Sequence, residues 1–369
     1  MPRTNPKNVR ITQAYLTFLE EAKQNATKTT DQVAAAIALF EKSTKGRDFA
    51  AFHLEQARAF KRQQYETTNA KTGKPLAKAT IRSRLLHLKA FFLWLAGQPG
   101  YKSKIKYADA DYFNPSANDT RIATARREKP VPSLEQIRMA IEAMPTETLI
   151  HQRNRAIMAL AILTGARDDA LASLNIEHCD LTQRKIVQDA RTVRTKNRKT
   201  FITWFFPVGN DLEAIVKDWM DTLTSAGYGP TDPLFPSTKM GLDENRLLKA
   251  TGLTHQHWKN AGAIRRIFKE SFQGADLPYF NPHSFRHTLA RLGETQCTTP
   301  EQFKAWSQNL GHENVLTTFT SYGQVSGHRQ AEILEEFTRA IDGEGVSSTA
   351  DDVASLQRLV DKLKANQIG

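Results

Sequence analysis

The chain has little cysteine: only Cys179 and Cys297 among 369 residues, with no C-x-x-C pair. Two isolated thiols predict neither a structural disulfide nor a cysteine zinc site. His283 and His287 have the spacing of a zinc-binding H-E-x-x-H helix, but Ser284 occupies the position of its glutamate. We therefore predict that the protein binds no metal and needs no cofactor.

Long hydrophobic runs are also missing, although hydrophobic residues make up 40% of the chain. No stretch approaches the roughly 18 apolar residues that are needed to cross a bilayer. The amino terminus lacks the apolar core of a signal peptide, so we expect a cytoplasmic protein. A length of 369 residues favours two domains with ordinary globular cores.

Acidic residues are scarce in the first third of the chain. Residues 1–115 carry 20 Lys and Arg against 9 Asp and Glu, residues 116–131 carry 4 against 2, and residues 132–369 carry 27 against 28. The net charge of +12 therefore belongs to the amino-terminal part. Such a one-sided positive field is typical of DNA-binding modules, because Lys and Arg neutralise phosphates. A basic surface that only keeps the protein soluble is the alternative.

Hydrophobic periodicity predicts a small bundle of helices in this basic part. The predicted helices lie around 15–21, 33–40, 49–65 and 81–95. The last helix has the clearest apolar stripe, with Ile81, Leu85 and Leu88 on one face and basic residues on the others. We place the helical domain at 11–115.

Basic residues cluster before and on the last of these helices, and again in the polar segment 116–131. This segment has no sustained period and precedes a proline, so we predict a linker that crosses the DNA backbone or remains solvated. The residues that we propose as DNA contacts are Lys71, Lys74, Lys78, Arg82, Arg84, Arg126 and Arg127.

The second domain, predicted at 132–340, begins with a capping box, Ser133-x-x-Gln136. A later apolar helix stops at Gly165, a residue suited to a left-handed helix cap. Two strand-like segments follow, joined by a basic loop that contains Lys196 and Lys199. Those strands are predicted at 185–193 and 200–208, and further helices at 211–223 and 256–272.

The most informative stretch runs from Asn281 to Gly323. Asn281 followed by Pro282 predicts the start of a helix, which places His283 and Arg286 on its first turns. This end of a helix carries the positive pole of the helix dipole. An anion is favoured at such a place.

Four groups of residues resemble the motifs of the tyrosine recombinases, also called the phage integrase family. They are Leu163-Thr164-Gly165-Ala166-Arg167, His283-x-x-Arg286-His287, Leu310-Gly311-His312 and Tyr322. The resemblance covers nearly the whole chain. It implies a mainly α fold with a small β-sheet or hairpin, in which an amino-terminal helical core-binding bundle clamps DNA and a mixed α/β domain is catalytic.

Cutting a DNA phosphodiester without a metal requires a nucleophile, positive charge on the non-bridging oxygens and a proton for the leaving 5′ oxygen. The resemblance implies that Tyr322 attacks the phosphate and forms a covalent 3′-phosphotyrosine. Arg167 and Arg286 would bind the non-bridging oxygens, since guanidinium stays charged and offers paired donors. His283 and His312 would assist as phosphate-binding donors or proton carriers.

Two lysines are candidates for the proton donor. Lys196 on the predicted hairpin is our candidate, and Lys199 is the alternative. His287 either contacts DNA or packs, so we leave it outside the catalytic set.

The first motif departs from the family at one position. An acidic residue often stands three positions after the first arginine, but this chain has Ala170 there. Asp168 or Asp169 would then orient Arg167 instead. If neither does, strand cleavage would be slower.

We expect a recombinase that exchanges DNA strands as a homotetramer on two sites, without ATP, as an integrase of a mobile genetic element. It would associate with the nucleoid when bound to DNA. The alternatives are a type IB topoisomerase-like enzyme and a DNA-binding protein that does not cleave. The tail at 341–369 has an apolar helical stripe that would dock on a neighbouring protomer or on its own domain.

Overall fold

The computed structural model describes residues 5–70, 72–125, 130–242, 246–312, 331–332 and 334–335. The chain divides into two compact units, Met1–Arg127 and Glu128–Gly369. The described residues are mainly helical, with two small antiparallel sheets, which confirms the predicted fold class. None of the helices described is long and apolar enough to span a membrane.

The first unit is a helical bundle around a phenylalanine-rich core. Its helices are α1 Pro6–Glu21, α2 Thr27–Ser43, α3 Leu54–Glu66, α4 Lys78–Ala96, α5 Tyr107–Ala110 and α6 Ala117–Thr124. The rings of Phe40, Phe91 and Phe92 are at most 1% exposed. Because α4 contributes two of these rings, its predicted apolar stripe is the centre of the bundle.

The boundaries of this unit differ from the sequence prediction. Helix α1 begins at Pro6 rather than near residue 11, with the Asn5 side chain accepting from the Lys7 amide at 3.0 Å. The predicted linker 116–131 is wrong in its first half, where α6 packs against α4. A short helix of eight residues shows too little periodicity to be recognised from sequence.

Helix α6 is fixed by Asp119. The amide of Asp119 donates to the Ser116 hydroxyl at 3.0 Å, and its carboxylate accepts from Tyr65 Oη and from Lys78 Nζ, each at 2.8 Å. Lys78, Tyr65 and Ser116 together lower the pKa of Asp119 to about 2. Ser116 caps the helix, and serine is a residue that favours this position, so the sequence did contain a signal for the start of α6.

The second unit combines seven helices with two sheets in its described part. The helices are α7 Leu134–Glu142, α8 Leu149–Thr164, α9 Asp168–Leu171, α10 Asn210–Ser225, α11 Gly262–Gly274, α12 Pro282–Gln296 and α13 Pro300–Asn309. Helix α8 lies at its centre, with nine consecutive buried residues from Ala156 to Thr164. The capping box of Ser133 and Gln136 is confirmed at the start of α7.

The first sheet contains the predicted strand pair. Its strands are β1 Cys179–Asp180, β2 Lys185–Gln188 and β3 Phe201–Trp204, and Lys185 pairs with Trp204. The strands are shorter than predicted, and β1 adds a third strand. The β2–β3 connection thus spans residues 189–200 and carries both candidate lysines.

The second sheet was not predicted. It is a hairpin of β4 Thr238–Leu242 and β5 Leu248–Leu253, and most of its residues are exposed on both faces. Without one buried face, the sequence shows no apolar alternation. The helix predicted at 256–272 begins only at Gly262.

Candidate active site

The first arginine motif forms a tight turn after α8. Gly165 ends the helix with φ of 60°, in the left-handed conformation that the sequence predicted for it. A Cβ at this position would lie 3.0 Å from Leu289 Cδ1 and 3.1 Å from Leu310 Cδ2. Only glycine therefore combines this backbone conformation with the close packing. Arg167 follows the turn, half-buried, and α9 begins after it.

The second motif lies at the start of α12. The helix begins at Pro282 as predicted, but within the described part of the chain the Asn281 side chain makes no capping hydrogen bond. The carbonyl of Asn281 instead accepts from the Ser284 amide at 2.9 Å and from its hydroxyl at 2.6 Å. His283 is exposed on this first turn, and Arg286, one turn further, is 2% exposed.

Arg286 joins three of the motifs. Its guanidinium donates to the carbonyl oxygens of Gly165 and Leu310, and its Nη2 lies 3.3 Å from His312 Nε2. These carbonyls face inward at the ends of α8 and α13, so their negative partial charges hold the buried cation. The arrangement brings the residues of the three motifs to one place in the second unit.

The third motif is held against the first sheet. Gly311 has φ of 71°, and a Cβ there would lie 2.9 Å from Phe201 Cε2. Asn309 accepts from the Trp204 amide at 2.7 Å and donates to the Trp204 carbonyl at 2.9 Å. The motif that carries His312 is thus fixed to β3, the strand that follows the lysine loop.

The two candidate lysines lie in a short 3₁₀ turn and just after it. The turn is Lys196–Arg198, and Lys199 follows it. Lys196 is exposed and Lys199 is half-buried. Lys196 remains our prediction for the proton donor because it is the one open to an incoming ligand.

The pKa values of His283 and His312 are both lowered, which favours their neutral forms. Burial, followed by the positive charges of Arg286, Arg167 and His283, lowers the pKa of His312 to about 4. Desolvation, then Arg286 and neighbouring cations, lowers the pKa of His283 to about 4 as well. His312 is 8% exposed, whereas solvent reaches His283.

Geometry agrees with a neutral His312. A guanidinium only donates, so Nε2 of His312 must accept from Arg286, which leaves the proton on Nδ1. A bound phosphate would bring negative charge to this place and raise the histidine pKa values again. The arrangement can therefore bind an anion and move a proton as it binds.

This site makes stability depend on pH. The pKa of His312 is lowered from 6.5 to about 4, so between these values the unfolded chain binds more protons than the folded chain. The stabilising contribution is complete above pH 6.5 and is lost as the pH falls towards 4. We expect the melting temperature to fall less steeply over this interval in His312→Gln than in the wild type.

Thermal melting at fixed ionic strength measures this effect. His151→Gln on α8, where His151 pairs with Glu147 at 3.0 Å, is the matched control for the loss of one imidazole. If His312→Gln and wild type lose stability in parallel below pH 6.5, the neutral histidine contributes nothing.

The acidic residues after Arg167 do not have the predicted role. Asp168 accepts from Arg265 Nε at 2.6 Å, and Asp169 accepts from Arg194 Nε at 3.3 Å. Both carboxylates therefore bind other arginines instead of orienting Arg167. Sequence spacing could not show this, because Arg194 and Arg265 are distant along the chain.

Tyr322 lies outside the described residues, as does the tail at 341–369. Their predicted roles stay predictions. No cluster of three His, Cys, Asp or Glu side chains in the described ranges could hold a metal ion.

All the proposed DNA contacts belong to the first unit. Lys74 is exposed in a loop closed by a bridge between Thr68 and Pro75. Lys78 pairs with Asp119, and its Nζ lies 4.2 Å from the centre of the Tyr65 ring. Arg84 donates to Gln64 at 2.7 Å. Arg82 is half-buried. Lys71, Arg126 and Arg127 lie outside the described residues.

Solved structures share this fold. A lambda integrase dimer bound to a COC' core site matches with a TM-score of 0.56 at 15% identity, covering 86% of this chain and 96% of that one. The Tn1549 transposon integrase in complex with transposon right end DNA matches with a TM-score of 0.54 at 17% identity, covering 89% and 99%. These similarities show that the chain has the integrase fold.

The sequence model of the phage integrase family matches residues 133–329, more than half of the chain. The chain belongs to the phage integrase family, the family of tyrosine site-specific recombinases. The family predicted from the four motifs is thereby confirmed.

Individual relatives are distant. Tyrosine recombinase XerC of Syntrophus aciditrophicus (strain SB) is 26% identical over 256 residues, which cover 68% of this chain and 71% of the relative. The XerC of Lactobacillus leichmannii is 24% identical over 278 residues, covering 73% and 80%. A XerC relative from Pseudomonas syringae is 28% identical over 166 residues, so this chain spans only 31% of its length.

Proposed function

We propose that this chain is a site-specific DNA recombinase that cleaves and rejoins DNA strands through a covalent phosphotyrosine. The observation that carries the proposal is the buried Arg286, held by the Gly165 and Leu310 carbonyls beside His312. A buried guanidinium cannot reorganise when a ligand arrives, which suits it to stabilise charge that develops on a phosphate. Membership of the phage integrase family supports the same reading.

The proposed cleavage is a transesterification. The oxygen of Tyr322 forms a bond to the scissile phosphorus, and the bond from phosphorus to the 5′ oxygen breaks. Arg167 and Arg286 bind the non-bridging oxygens, His283 and His312 donate to the phosphate or carry the tyrosine proton, and Lys196 protonates the leaving oxygen. Rejoining by another 5′-hydroxyl reverses these steps, so no ATP is consumed.

We propose double-stranded DNA as the partner and the first unit as a DNA-clamping domain. Its described basic residues and its sequence excess of Lys and Arg support phosphate binding. A homotetramer on two recombination sites, as in strand exchange, and a role in integrating or excising a mobile genetic element belong to the same proposal. Such a protein would be associated with the nucleoid when it is bound to DNA.

Covalent trapping tests the proposal. Purified protein is mixed with labelled DNA from the ends of its own genetic element, in chelator and without ATP, beside the Tyr322→Phe variant. We expect a denaturation-resistant adduct, mapped by peptide analysis to Tyr322 and absent from the variant. Tight binding without an adduct, even on nicked substrates that trap cleavage, would favour the DNA-binding alternative.

A second assay separates the enzymatic alternatives. Relaxation of a supercoiled plasmid by the monomer, without joining of two sites, would favour the topoisomerase-like enzyme. Recombinant products from two sites, formed at protein concentrations that assemble multimers on DNA, would support the recombinase.

A further inference from the structure

Arg194 connects parts of the second unit that lie far apart in the sequence. Its backbone amide donates to Ser173 Oγ at 2.8 Å, and its Nε to Asp169 at 3.3 Å. Its Nη2 donates to the carbonyl oxygens of Ala172 at 3.3 Å and Trp258 at 3.0 Å. One residue of the β2–β3 connection thus contacts two other segments of the chain.

The first of these segments is the one that follows Arg167. Asp169 lies on α9, which starts directly after Arg167, and Ser173 follows the same helix. Ser173 is 2% exposed and its hydroxyl also lies 3.0 Å from the Asp169 carbonyl oxygen. The hydroxyl that accepts from the Arg194 amide is therefore buried and internally bonded, whereas the side chains of Arg194 and Asp169 are 38% and 47% exposed.

The second segment is equally fixed. Trp258 is 9% exposed, and the guanidinium of Arg153 lies 4.7 Å from its ring centre. Arg153 is itself 2% exposed and donates to the Pro236 carbonyl at 2.8 Å. The Arg194 side chain therefore cannot leave this position without breaking its hydrogen bonds to Asp169, Ala172 and Trp258.

Lys196 follows Arg194 by two residues. It begins the exposed 3₁₀ turn, whereas Val193 on the other side of Arg194 is buried at 2% exposed. Arg194 is itself exposed, but it is the last described residue before the lysine whose hydrogen bonds reach segments distant in the sequence. Where Lys196 can reach depends on where Arg194 is held.

We propose that Arg194 is a positioning residue for strand cleavage: it holds the loop of Lys196 against the segment that carries Arg167. The proton donor and the phosphate-binding arginine then keep a fixed relative position. This inference rests on the proposed recombinase function and on Lys196 as the donor. Asp169 then contributes to the site by binding Arg194 and not by orienting Arg167.

The chemistry of the leaving group provides a specific test. An alcohol is a poor leaving group without a proton, whereas a thiol has a pKa of roughly 8.5 and leaves as thiolate. DNA with sulfur in place of the bridging 5′ oxygen therefore needs no proton donor. A variant that is slow only because Lys196 is misplaced should cleave such DNA at the wild-type rate. A variant that is slow because its structure is lost should remain slow on it.

The experiment measures single-turnover adduct formation by Arg194→Ala, Arg194→Lys and Lys196→Ala on oxygen- and sulfur-bridged DNA. On oxygen-bridged DNA we expect Arg194→Ala to be slower by about 10- to 100-fold, since misplacing a catalytic group by about 1 Å costs on that order. Lys196→Ala should be slower still, and Arg194→Lys, which retains one charged donor, intermediate. On sulfur-bridged DNA all three should approach the wild-type rate.

Arg191→Ala is the matched control. Arg191 belongs to the same connection, but it pairs with Asp189 two residues away, at 2.5 Å, and is 87% exposed at its side chain. Replacing Arg191 with alanine removes an ion pair within the loop and not a hydrogen bond between distant segments. We expect little change in adduct formation on either DNA, with DNA affinity and melting temperature recorded for every variant.

The outcomes are distinct. If wild type forms no adduct with oxygen-bridged DNA, the proposed function fails and this inference fails with it. If wild type cleaves and Arg194→Ala cleaves as fast, or remains slow on sulfur-bridged DNA, Arg194 is not a positioning residue. Restoration of Arg194→Ala without restoration of Lys196→Ala would overturn the choice of Lys196 as the positioned group.

Discussion

Replacing Arg286 with glutamine is expected to lower the rate of DNA cleavage by about 100- to 1,000-fold, the usual effect of removing one preorganised donor from a developing anion. Arg286 is 2% exposed and lies beside His312, at the meeting point of three motifs. Glutamine removes the charge that would bind a phosphate oxygen. The measurement is single-turnover adduct formation at saturating protein, which separates cleavage from DNA binding.

Arg286→Gln also tests how the site is built. The Gly165 and Leu310 carbonyls lose a charged donor, and an unsatisfied buried carbonyl costs roughly 1–3 kcal/mol. We therefore expect a lower melting temperature, and the cleavage rate is compared per folded molecule below the transition. Arg286→Lys keeps a charge but not the planar fork, so it should recover stability only in part.

Arg291→Gln is the matched control, because Arg291 lies on the same helix and is exposed. It should change cleavage little, since its side chain lies on the solvent side of the helix. Cleavage by Arg286→Gln close to that of wild type would contradict a role of the guanidinium at the phosphate.

The parts of the fold that could be predicted are those with strong local signals. Helix α4 has a regular apolar stripe, and α7 has a capping box. Helix α8 ends at a glycine, the residue that a left-handed helix cap favours. The motifs around Arg167, Arg286 and His312 were recognisable because their order and spacing are specific. In these cases local preference and tertiary structure agree.

The parts that could not be predicted depend on distant contacts. The β4–β5 hairpin buries neither face, so it leaves no pattern. The partners of Asp168 and Asp169 come from residues 97 and 25 positions away. Nothing in the spacing of the motifs indicated that two carbonyls would hold Arg286, since backbone acceptors are the same at every position.

Gly165→Ala is expected to destabilise the second unit by roughly 2–5 kcal/mol, from left-handed strain of about 1–2 kcal/mol and crowding of about 1–3 kcal/mol. For a unit of this size that corresponds to a fall in melting temperature of about 4–20 °C. The crowding arises because the new methyl group meets Leu289 and Leu310 at 3.0 and 3.1 Å. The same displacement moves the carbonyl that holds Arg286, so cleavage should fall too.

Gly227→Ala separates the two causes. Gly227 follows α10 with φ of 85°, so it shares the strained conformation, but a Cβ there would meet no described atom within 4 Å. This control should lose only the strain contribution, about 1–2 kcal/mol, and leave cleavage unchanged. Equal losses of melting temperature in the two variants would mean that Gly165 is required for its backbone conformation alone. A larger loss in Gly165→Ala, accompanied by slower cleavage, would show that close packing around this turn sets the position of Arg286.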